Sequence, residues 1–100
     1  MAETCVASHY GVGDGYNGGR VACRGLDPFN THATSPYTVA HQTAACGSYL
    51  RVTSLRTGRS IRALVTDRGP FVRGRCVDLG IAGARALGIN GVGPVRVEPD

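Results

Sequence analysis

Two segments in the middle of this chain leave little freedom in how it folds. Tyr49-Leu50-Arg51-Val52-Thr53 and Ile61-Arg62-Ala63-Leu64-Val65-Thr66-Asp67 each carry an apolar row at every second position, and Arg56-Thr57-Gly58-Arg59 turns the chain between them. A period of two is the signature of a strand, because successive side chains point to opposite faces of a sheet. The pair therefore predicts an antiparallel hairpin, with Leu50 and Val52 on one inner row and Ile61, Ala63 and Val65 on the other. Asp67 falls on the same face as that second row and ends it. A carboxyl at the rim of an apolar face is partly withdrawn from water, which favours its protonated form and suits a general acid. The residues around it, Thr66-Asp67-Arg68-Gly69-Pro70-Phe71, pass from strand into loop, with Arg68 on the opposite strand face.

The flanking sequence is consistent with a single domain over residues 1–100. A chain of this length buries one modest core and not two. Fifteen glycines, five prolines and short β-branched runs imply many tight turns and mostly β structure. Thr4 to Tyr10 reads as a first strand, Gly11 to Gly19 as a glycine-rich loop, and Val21 to Thr43 as irregular, with turn signals at Asp27-Pro28 and Ser35-Pro36. A short strand follows at Cys76 to Leu79 and a last one at Gly91 to Glu98, where Val95 and Val97 share a face. Helical spacing occurs only in Ile81 to Leu87; Gly88 stands in the position of a C-terminal cap, and Gly80 offers no side chain to cap the start. No apolar run approaches membrane-spanning length, and Met1-Ala2-Glu3-Thr4 lacks the basic and apolar regions of a signal peptide.

The net charge of +4 comes from eleven arginines against seven acidic residues, with no lysine at all. Arginine favours polyanionic partners and planar, two-pronged contacts with carboxylates and phosphates, although a high-GC genome encodes the same bias. Cysteines at 5, 23, 46 and 76 suggest two disulfides and an oxidising compartment, and three pairings are open. No C-x-x-C pair is present, so a structural zinc site is not expected. Gly11-Val12-Gly13-Asp14-Gly15 lacks the strand-to-helix setting and the lysine of a phosphate loop. With Tyr10, Tyr16 and Asn17 it better suits one side of a sugar groove, since aromatic faces and amides match carbohydrate.

Several short motifs together resemble a known family. They are Ala7-Ser8-His9-Tyr10-Gly11, Ala40-His41-Gln42-Thr43, Leu50-Arg51-Val52-Thr53, the run at 66–71, Val77-Asp78-Leu79, Ala86-Leu87-Gly88 and Gly91-Val92-Gly93-Pro94-Val95-Arg96-Val97. In this order they are similar to the rare lipoprotein A type of septal lytic transglycosylase; Ala44-Ala45-Cys46-Gly47 also resembles barwin and, more loosely, expansins. The resemblance implies a six-stranded double-psi β-barrel with one short helix near residues 80–88. It further implies that Asp67 and His41 are catalytic, that Thr66 and Arg68 touch substrate alongside Tyr10, Tyr16 and Asn17, and that neither metal nor cofactor takes part. In that chemistry an acid protonates the glycosidic oxygen, then acts as base while the muramic acid 6-hydroxyl closes on the anomeric carbon to give a 1,6-anhydro product. Asp78 matches an acid of expansins and of glycoside hydrolase family 45, and so is a possible second carboxylate. The barwin-like cysteine implies a Cys23–Cys46 bond, which leaves Cys5–Cys76. The expected partner is peptidoglycan or a related polysaccharide, not nucleic acid, met outside the cytoplasm by a monomer whose chain here carries no signal sequence. A glycan-binding or wall-loosening module without turnover is the alternative. The chain departs from the family at Gly25-Leu26-Asp27-Pro28, where a glycine-glutamate pair is usual, at His9 in place of Trp or Tyr, and at Gly80 in place of serine.

Overall fold

The computed structural model of the chain describes residues 2–10 and 37–100. Strands β1 (Glu3–Tyr10), β2 (Thr38–His41), β3 (Tyr49–Ser54), β4 (Ser60–Asp67), β5 (Arg75–Gly80) and β6 (Gly93–Pro99) close into a barrel in the order β1-β5-β2-β4-β3-β6, and helix α1 (Ile81–Leu87) follows β5. This is the expected double-psi β-barrel. The central hairpin forms as its alternation dictates: Val52 pairs with Ile61 and Leu50 with Ala63, and all four side chains are buried. Val39, Val52, Val65, Val77, Leu79, Leu87 and Val95 fill the interior at no measurable exposure. Burial of each such side chain contributes roughly 1.5–3 kcal/mol before the opposing chain entropy is subtracted.

One strand is not legible as such in the sequence. Thr38–His41 lies inside the stretch that reads as irregular, yet it sits in the middle of the sheet, parallel to β4 and antiparallel to β5. Thr38, Val39 and Ala40 are all buried, so this strand has no alternation to detect.

The barrel contains two parallel pairs, β1 with β5 and β2 with β4, and each slips by one residue. Val6 faces Arg75 and Ala7 faces Val77, which passes over Cys76; Val39 faces Val65 and Ala40 faces Asp67, which passes over Thr66. Such a bulge re-aims the side chains beyond it. Cys76 is bonded to Cys5, with 5.8 Å between the Cα atoms, as the resemblance implies. Cys46 is also disulfide-bonded, while Cys23 lies outside the described residues.

Helix α1 begins without a side-chain cap at Gly80 and ends in a left-handed Gly88, φ 74°. The Gly88 N–H donates to the Arg85 carbonyl and the Ile89 N–H to that of Ala84, the paired closure that a left-handed glycine permits. With Ala84 and Leu87 buried, the helix plugs the barrel beside β4, β5 and β1.

Candidate active site

The slip between β2 and β4 decides which residues meet. Without it Thr66 would stand opposite Ala40; with it Asp67 does, and Ala40 also faces Asp78 on the other side, which in turn faces Ser8 on β1. Asp67, Ala40, Asp78 and Ser8 thus form one row across four neighbouring strands. Adjacent strands lie about 4.8 Å apart, so the two aspartate backbones are separated by roughly 10 Å across the small side chain of Ala40. The two aspartates and Ala40 line a depression of about 250 Å³, rimmed by Arg68, Pro70 and Phe71. Both aspartates are half-buried. The Ser8 hydroxyl, itself buried, donates to Asp78 Oδ1. The Arg68 N–H donates to Asp67 Oδ1 at 2.8 Å.

His41 ends β2 one residue beyond Ala40 and so projects to the other side of the sheet. Its Nδ1 accepts the N–H groups of Thr43 at 3.1 Å and Ala44 at 2.9 Å, which leaves the ring proton on Nε2, 2.7 Å from Glu3 Oε1. His41 therefore lines a neighbouring depression of about 490 Å³ with Glu3, Gln42, Arg73 and Cys76, and not the one that holds the aspartates. The two depressions adjoin at Phe71, Val72 and Arg75, which line both.

The loop after β4 and the loop after β2 are fastened to each other. Arg68 donates through Nη1 to the carbonyls of His41 and Ala44, and the Gln42 amide donates to the Pro70 carbonyl at 2.6 Å. Gly69 takes φ 116°, a backbone state that a side chain would disfavour, ahead of a cis bond to Pro70. These contacts fix the rim from which Phe71 projects.

Of the residues singled out from sequence, Asp67, Asp78 and Arg68 come together at one depression. The Arg68 guanidinium, however, is engaged by backbone carbonyls and by Cys46 Sγ at 3.4 Å. Thr66 is fully buried, with no hydrogen-bond partner for its hydroxyl among the described residues, so its side chain does not reach the surface. The reading of Thr66 as a substrate contact is corrected accordingly: the slip that brings Asp67 into the row turns Thr66 inward. Tyr16, Asn17 and the side chain of Tyr10 lie outside the described residues. Sequence reasoning missed Ser8, Glu3 and Phe71. Ser8 stands in one of the family motifs and Phe71 in the run at 66–71, but nothing in the linear order pairs Ser8 with Asp78 or Glu3 with His41.

A family model described as "Lytic transglycolase" matches residues 13–98. The chain belongs to this family. Relatives of the lytic transglycolase include the probable endolytic peptidoglycan transglycosylase RlpA of Nostoc sp., 46% identical over 95 residues and 93% of this chain, and the endolytic peptidoglycan transglycosylase RlpA of Pasteurella multocida, 52% identical over 64 residues and 62% of this chain. The chain spans 24% and 22% of the length of those two relatives. Among solved structures, the apo expansin of Clavibacter michiganensis matches with a TM-score of 0.72 at 26% identity, over 100% of this chain and 50% of that one. The Streptomyces papain inhibitor, with a TM-score of 0.67 at 21% identity over 98% of this chain and 93% of its own, shares the fold alone.

Proposed function

We propose that this lytic transglycolase domain cleaves the glycan strands of peptidoglycan, with Asp67 as the acid/base. The observation that carries the reading is the Asp67–Ala40–Asp78 row on the floor of an open depression, in a chain of this family. Asp67 gives its proton to the glycosidic oxygen as the bond to the anomeric carbon breaks. It then takes the proton of the muramic acid 6-hydroxyl as that oxygen closes on the same carbon, and the 1,6-anhydro end is released. One carboxyl serves both steps, so no attacking water has to be held, unlike the two-carboxylate arrangement of ordinary glycosidases. His41, with both ring nitrogens engaged, acts here as a positioning residue for the 41–46 loop and through Arg68 for the rim. The substrate places the domain outside the cytoplasm, where the Cys5–Cys76 bond persists.

A second reading is a glycan-binding or wall-loosening module without turnover, which the likeness to an expansin supports. Mass spectrometry of purified sacculi, intact and amidase-stripped, after incubation with the protein separates them. Anhydro-muropeptides from the wild type, reduced about 10²–10⁴-fold by Asp67→Asn while glycan binding persists, are expected for an acid/base aspartate. Binding with no release supports the second reading, and reducing-end products point to hydrolysis with Asp78 holding the water.

A further inference from the structure

Beside the aspartates lies a depression that the chemistry above does not use. It is the larger of the two, about 490 Å³, and its far side is formed by the turn Val72–Arg75. The Arg75 N–H donates to the Val72 carbonyl at 3.1 Å, Gly74 at φ 86° reverses the chain, and the Gly74 carbonyl accepts the Val6 N–H at 3.1 Å, so the turn is anchored to β1. Arg73 and Arg75, two residues apart, both line the depression, and Arg75 lines the aspartate site as well.

Several arginines of the fold are already engaged. Arg51 and Arg62 share Asp100, Arg96 lies by Glu98, and Arg68 is taken up by backbone carbonyls. Among the described residues Arg73 and Arg75, like Arg56, Arg59 and Arg85, have no ion-pair partner, and of these five only Arg73 and Arg75 line this depression. The one carboxylate that lines the same depression, Glu3, is already engaged by His41 Nε2 at 2.7 Å. Phe71, 80% exposed, stands where the two depressions meet. An aromatic ring this bare at the rim of a polar cleft is a platform for a sugar face. Through Phe71, Val72 and Arg75, which line both, the depression of Arg73 and the depression of Asp67 are continuous along this rim.

We infer that Phe71, Arg73 and Arg75 form a subsite that reads a carboxylate on the sugar next to the cleaved bond. Guanidinium groups bind carboxylates in a planar, two-pronged fashion, and such charge-assisted bonds exceed neutral ones in strength. Resting on the proposed function, the subsite makes the acidic side arm of the muramic sugar a determinant of binding. Two sources carry that carboxylate: the lactyl group where the stem peptide has been removed, and the stem peptide itself where it remains.

The test measures binding of soluble glycan strands to the Asp67→Asn protein, so that turnover does not intervene. Four ligands are compared: peptide-free strands, peptide-bearing strands, and each of these after chemical reduction of its carboxyls to alcohols. Reduction is expected to weaken binding roughly tenfold or more, the effect of losing a charge-assisted contact. Added Arg73→Gln and Arg75→Gln should erase that difference while leaving binding of the reduced strands and the melting temperature unchanged. Lysine at both positions should restore part of it. A difference confined to peptide-free strands assigns the lactyl carboxylate, and one confined to peptide-bearing strands assigns the peptide; either supports the subsite. Equal binding of native and reduced strands, or discrimination that survives the glutamine variants, overturns it. Absence of anhydro products from the wild type would count against the transglycosylase reading and leave this measurement intact.

Discussion

At the scale of single residues, the site is held by pairs that lie far apart in sequence. Ser8 donates to a carboxylate 70 positions further along the chain, and Glu3 engages an imidazole 38 positions away. Ser8 is buried and Asp78 half-buried, so deleting the hydroxyl leaves a carboxylate oxygen that water reaches poorly. Ser8→Ala is expected to lose about 1.5–3 kcal/mol, the range for a hydrogen bond to a charged group, and Ser8→Thr to lose less because a hydroxyl remains. Urea denaturation of the three proteins measures this; equal midpoints would show that the bond contributes nothing. Asp67 is visible in the sequence as the carboxylate that closes a strand, but its expected face is corrected: the slip between β2 and β4 takes it off the row of Ile61, Ala63 and Val65 and sets it beside Ala40 and Asp78. Ser8 is not legible, because its meaning comes from its strand neighbour.

The elements show where sequence reading succeeds and where it stops. Strands β3, β4 and β6 each bury one face, so their period-two rows are visible, and α1 is marked by its spacing and by Gly88. Strand β2 buries three consecutive residues between two partners, and the run Thr38-Val39-Ala40 carries no period. Thr66 is misplaced by sequence reasoning for a related reason. Its orientation follows from a slip between β2 and β4, which is a property of the pairing and appears in neither strand alone. The end of α1 offers a simple check on the legible part. A Cβ at Gly88 would meet only Thr57 Cγ2, at an ordinary 3.7 Å, so Gly88→Ala costs backbone strain and little else. The expected loss is about 1 kcal/mol, or a fall in melting temperature of roughly 4–8 °C for a domain of this size. A thermal melt unchanged within a degree would contradict the left-handed cap.

For the molecule as a whole, the Cys5–Cys76 bond spans 71 positions and joins β1 to β5, which the barrel also pairs. Closing so long a loop restricts the unfolded chain, by about 4 kcal/mol in the chain-entropy account. Cys5→Ser with Cys76→Ser should therefore lower the melting temperature by well over ~10 °C while preserving the strand signature in circular dichroism. A variant that melts with the wild type would show that the bond adds no stability. The same ring of strands has a dynamic consequence. Each of the six has a hydrogen-bonded neighbour on both sides, so no strand can peel away from a border as in an open sheet. Backbone amides across β1 to β6 should then exchange with solvent in concert, through one collective opening, while the exposed amides of residues 71–73, outside every strand, exchange on their own and faster. The exposed side chains of Phe71 and Arg73 can then adjust to a substrate without loosening the two aspartates beside them.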